Sequence, residues 1–166
     1  MLSGAMTPSW VVPVATVLGA LLVSAANIIV NRWRYGIDRL SISVDYFCDE
    51  VNSAADLATS YWVLDLSVPG DHYDAKRTES FLIGRQDRIQ ELLLIFLENP
   101  SINPGINIDK FEKERDDLFD AMTGGSFKTK GRSPDYDRAP RVQAVAAKLN
   151  GHARRALEKS RRRWRL

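Results

Sequence analysis

Four places in the chain bring reactive side-chain types together. Asp71-His72-Tyr73-Asp74 sets two carboxylates beside an imidazole, donor types that bind a divalent cation. A metal site needs further ligands from elsewhere, and nothing in the sequence identifies them. With Pro69-Gly70 directly before it, the tetrad reads as a solvated turn. Asp45, Asp49 and Asp56 share one helix face, but no Glu-x-x-His element of the di-metal bundles accompanies them. The lone Cys48 has no histidine nearby in sequence to activate it and reads as a small core residue. Gly124-Gly125-Ser126 lacks the Gly-x-x-x-x-Gly-Lys-Ser/Thr spacing of a phosphate loop. From these residues the sequence assigns no catalytic group, no metal ligand and no cofactor.

The remaining chemistry belongs to charged surfaces. Residues 31–137 carry 13 Lys/Arg against 20 Asp/Glu, a net of −7, whereas residues 138–166 carry 10 Lys/Arg against one Glu, a net of +9. One reading is internal, with a basic last helix lying beside an acidic first helix. A second concerns the tail Arg161-Arg162-Arg163-Trp164-Arg165-Leu166, whose arginines and indole suit anionic lipid head groups at a membrane surface. Nucleic acid is the least favoured partner, because the rest of the domain is acidic and no nucleic-acid fold signature is present.

Position in the chain explains why a lipid surface is considered at all. All 23 Lys/Arg and 21 Asp/Glu lie after Asn31. A helix from residue 10 to 31 rises about 33 Å, enough to cross a hydrocarbon core of about 30 Å. Trp10 and Trp33 bracket it with interfacial rings, and Pro13 falls in its first turn, where a proline costs little. The competing reading is a cleaved signal peptide with Ser24-Ala25-Ala26 as the small-residue site. Residues 1–9 carry no Lys or Arg, so the basic leader of such a peptide is missing. An uncleaved anchor is therefore expected. Arg32, Arg34 and Arg39 follow it directly, which places the short N-terminus outside and the rest in the cytoplasm, at an inner membrane. Thr16, Ala20 and Ser24 recur every four residues beside Ala15 and Gly19, and Asn27 can hydrogen-bond across such a small-residue face, so a homo-oligomer or a lateral partner is expected.

Residues 32–160 then have the size of one domain. Ile37, Leu40, Val44, Phe47, Val51, Ala54, Ala58 and Tyr61 alternate 3 and 4 apart, which predicts a helix over about 35–66 with one buried stripe. Pro69-Gly70-Asp71 reads as a loop, followed by a helix over about 74–98 with Phe81, Leu82, Ile89, Leu92, Leu93, Phe96 and Leu97 inward. Its run Leu92–Leu97 reads as buried on most sides. Asp109 with Glu112 reads as a capping box for a third helix that carries Phe111, Leu118, Phe119 and Met122. Residues 126–139 read as a mobile loop. A fourth helix over about 141–163 faces inward with Val142, Val145, Ala146, Leu149, Ala153, Ala156 and Leu157. The expected fold is all-α: residues 1–9 extracytoplasmic, a transmembrane helix over 10–31, a cytoplasmic antiparallel bundle of about four helices over 32–160, and a basic tail over 161–166. The expected function is a non-enzymatic protein-interaction or scaffolding module at the membrane face. The alternative is a sensor or enzyme with a metal or small-molecule site in the bundle.

Overall fold

The computed structural model describes residues 11–98 and 107–163, and every regular element among them is an α-helix. The helices are α1 (Val11–Trp62), α2 (Pro69–Leu97), α3 (Ile108–Thr123) and α4 (Arg138–Arg163). This is the all-α class that the 3/4 spacing implies, and the helices pack together as a bundle. Contacts divide the chain into two units between Arg39 and Leu40.

The first unit holds the apolar part of α1. This helix is long and apolar enough to cross a membrane, and its most apolar window is not buried at all.

In the second unit, hydrogen bonds between side chains fix how neighbouring helices run. Across α1 and α2, Tyr61 Oη donates to Glu79 (3.1 Å), and Arg85 and Arg88 donate to Glu50 (2.5 Å) and Tyr46 (3.1 Å). Numbers rise on one helix as they fall on the other, so the pair is antiparallel. Gln86 and Arg115 tie α2 to α3 in the same opposed sense, through Thr123 (2.9 Å) and Gln90 (2.9 Å). Arg141 with Asp120 and Lys148 with Glu114 do so for α3 and α4. Gln143–Asp56, Asn150–Asn52 and Arg161–Ser41 close the ring by returning α4 to α1. Up-down-up-down order with short connections is the simplest bundle topology.

The stripe of α1 from Leu40 to Tyr61 is buried as its spacing requires, while Ile37 is half-buried. It meets Leu82, Ile89, Leu93 and Phe96 of α2, Phe111, Leu118 and Met122 of α3, and Val142, Leu149 and Leu157 of α4 in one core. Phe47, Phe96 and Phe111 stack at one level, with ring centroids 5.7–6.2 Å apart.

Several element details differ from the sequence reading, each for a local reason. Pro69 does not open a loop but begins α2 as its first residue, where its missing N–H costs nothing. The cap of α3 is Asn107, whose Oδ1 accepts from Lys110 N at 3.0 Å; Asp109 lies inside the helix. Phe81 is 52% exposed, and within Leu92–Leu97 only Leu93 and Phe96 are fully buried, while Leu94 and Ile95 face outward. A helix packed against a bundle buries one stripe, and an unbroken apolar run necessarily overfills it. The loop with Pro100 and Pro104-Gly105 lies outside the described residues.

Candidate functional site

The span-like segment is the most distinctive surface. From Val14 to Val30 its large side chains are 43–71% exposed, with no charged group among them. Gly19 has no heavy atom within 4 Å of where a Cβ would stand, and Ala20, Ser24 and Asn27 are exposed. Trp33 is half-buried, and Arg32 and Arg34 are exposed just beyond. Trp10, the side chain of Ala15, the side chain of Arg163, and Trp164 and Arg165 lie outside the described residues.

Arg132 builds the second feature, the junction between α1 and the segment that leads into α4. Its guanidinium donates to the carbonyls of Trp62 (3.2 Å), Tyr61 (2.9 Å) and Ser133 (3.0 Å). The last two carbonyls of α1 would otherwise lack partners, so a side chain from 70 residues away ends the helix. The same group lies 4.8 and 4.6 Å from the Tyr61 and Trp62 rings, and Arg138 covers Trp62 at 4.4 Å. Trp62 Nε1 donates to Met122 O at 3.0 Å, and Lys128 N donates to Tyr61 Oη at 3.0 Å. Residues 124–138 are thus tied down at many points rather than left as the free loop their composition suggests. Ser126 and residues 129–137 line an open hollow of about 660 Å³ on the outer side of this junction.

A buried carboxylate forms the third feature. Glu114 on α3 is 1% exposed. Lys148 Nζ stands 3.4 Å from one oxygen, and His152 Nδ1 lies against the other. Neither oxygen accepts a well-directed hydrogen bond, so charge holds the group in place. Sequence periodicity alone carries this signal, since Glu114 lies three residues after Phe111 and four before Leu118. Arg132 had no such signal, because a loop residue has no period.

The tetrad Asp71–Asp74 is spent on local structure. It falls in the first turns of α2, where Asp71 Oδ2 accepts from Asp65 N at 3.1 Å. Among the described residues, no group of three or more His, Cys, Asp or Glu side chains gathers as cation ligands do. Cys48 is fully buried, and burial pushes its thiol pKa up, against the opposing pull of Arg154 beside it.

The seam between acidic α1 and basic α4 is joined by neutral or singly charged contacts. Asn150 Nδ2 donates to Asn52 Oδ1 (2.7 Å), Gln143 Nε2 to Asp56 (2.9 Å) and Thr59 (3.1 Å), and Arg161 to Ser41 Oγ (3.0 Å). Among the described residues no ion pair crosses this seam: Asp45 and Asp49 stay exposed on one flank, and Arg155, Lys159 and Arg162 on the other. Of the tail residues, Arg161 is taken up by α1 and Arg162 faces solvent.

The arrangement defines an all-helical bundle preceded by one exposed apolar helical segment. No significant match to it was found among protein-family models, curated proteins or solved structures.

Proposed function

We propose that this chain is a single-pass, membrane-anchored helical protein that acts as a non-enzymatic interaction or scaffolding module at the cytoplasmic face of an inner membrane. The observation that carries the reading is the exposure of Val14 to Val30. Several hundred Å² of contiguous apolar surface on a soluble chain marks a membrane or partner site, and this stretch has the length of a bilayer core. Arg32 and Arg34 follow it and favour a cytoplasmic bundle, with anionic head groups within their reach. The bundle offers charged flanks and the 124–138 junction as surfaces for a protein partner. Its buried polar groups are used to close the fold.

The test is expression of the tagged full-length chain, alkaline carbonate washing of the membranes, and in-cell crosslinking before mild detergent extraction. Retention in the washed pellet together with a stoichiometric protein partner supports the reading. Release by carbonate overturns the anchor, and a tightly bound metal or small molecule in stoichiometric amount redirects it to a sensor or enzyme.

A further inference from the structure

The two flanks of the α1–α4 seam carry opposite charge and satisfy no ion pair with each other, and we propose that they pair with the opposite flanks of a second copy of this chain in the same membrane. The argument starts from register. The Ser41–Arg161 and Asn52–Asn150 hydrogen bonds fix the levels of the two helices. That register puts Asp45 between the levels of Lys159 and Arg155, and Asp49 about two residues, or ~3 Å along the axis, from the level of Arg155.

A two-fold axis parallel to the helices leaves levels unchanged and exchanges flanks. The acidic strip of one copy then meets the basic strip of the other, twice, in an isologous interface. Only a pair whose α1 helices run in the same direction has this geometry. Two chains anchored through the same end of α1 satisfy that condition. The inference therefore rests on the membrane reading above.

Local shape also suits an incoming carboxylate. Arg155, Lys159 and Arg162 line a shallow concavity of about 190 Å³ with Glu158 as its one acidic member. Gly151, one turn earlier, leaves room for the Arg155 guanidinium, which lies 3.3 Å from where a Cβ would stand. A helical glycine costs about 1 kcal/mol relative to alanine, and here it frees the position of a cation. Exposed ion pairs contribute about 0.2–1 kcal/mol each, too little to hold two freely diffusing bundles together. Confinement to one membrane plane raises the effective concentration and makes such weak pairing sufficient.

The experiment uses the full-length chain reconstituted at low density in purely zwitterionic phosphatidylcholine vesicles, so that anionic lipid cannot occupy the basic flank. Chains in natural-abundance and 15N-labelled form are mixed and treated with a zero-length carbodiimide, which joins carboxylates to lysine amines. The expected product is a mixed-isotope crosslink between Asp45 or Asp49 and Lys159. Dimer yield should fall on the order of tenfold in D45K/D49K or in R155E/R162E alone, and return when these two variants are mixed. All four positions are exposed, and helical circular dichroism checks that each variant folds. A membrane-inserted chain that gives no mixed-isotope product overturns the pairing and leaves the anchor standing. Dimers that survive both charge reversals, or that fail to return on mixing, overturn it as well. A chain that does not insert overturns the anchor and the pairing with it.

Discussion

The Cys48 thiol is the sharpest residue-scale probe of this fold. It is completely buried, and desolvation disfavours its thiolate more than neighbouring Arg154 favours it. Its folded pKa lies above the unfolded value of about 8.5. Its contribution to stability is therefore complete below that pH and is lost as pH rises through the folded pKa. A thiol reagent at pH 7.5 should label the native chain far more slowly than the urea-unfolded chain. Equal rates would show that the site opens without unfolding. Asp65 behaves in the opposite sense. Ser67 donates to its carboxylate through both Oγ (2.7 Å) and the backbone N–H (3.0 Å), which lowers its pKa. The charged form is favoured above the usual carboxylate value of about 3.9, and the benefit is lost as pH falls through the lower folded pKa. Side-chain NMR should place the Asp65 midpoint below that of an ordinary aspartate, and Ser67→Ala should move it upward.

At the scale of the elements, Arg132 decides where α1 stops. The apolar spacing of α1 carries on to Leu66, which is itself buried, so a reading of the sequence extends the helix that far. The chain turns after Trp62 because Arg132 takes the last two carbonyls and its own carbonyl accepts from Leu66 N at 2.9 Å. Arg132→Ala leaves those carbonyls without a partner and removes the cation stacked on two rings. It should destabilise the bundle by about 2–4 kcal/mol in urea titration followed by far-ultraviolet circular dichroism. Lys130→Ala, two residues away and exposed, should stay within about 0.5 kcal/mol and serves as the control. The contrast explains what was legible. The four helices and most of their buried stripes could be read because a 3.6-residue period is a local property. A capping side chain that arrives from a distant loop is a tertiary event. So is the outward turn of Phe81, Leu94 and Ile95, since hydrophobicity says a side chain can be buried but not that a neighbour stands opposite it. Glu114 is the intermediate case: its position on the buried stripe was readable, but its partners Lys148 and His152 depend on the antiparallel placement of α4.

For the whole molecule, charge asymmetry is what the sequence displays most openly, and it also sets the direction of insertion. If Arg32 and Arg34 keep the bundle on the cytoplasmic side, the preference is a difference between flanks and can be moved from either one. In the natural chain residues 1–9 hold no basic group, so the whole bias comes from the side after Asn31. Protease added to right-side-out vesicles should leave the bundle intact, and protease added to inverted vesicles should remove it. Arg32→Gln and Arg34→Gln combined with Ser3→Lys, Thr7→Lys and Ser9→Lys reverse the local balance while leaving the apolar segment and the core of the bundle unchanged. A fraction of the chains should then become cleavable from the outside. A variant cut only from the cytoplasmic side would mean that folding of the bundle, with its 20 Asp/Glu in residues 31–137, resists translocation more strongly than the flanking arginines direct it. Digestion of the natural bundle from outside would reverse the orientation altogether. The charged α1 and α4 flanks would then face partners on the other side of the membrane.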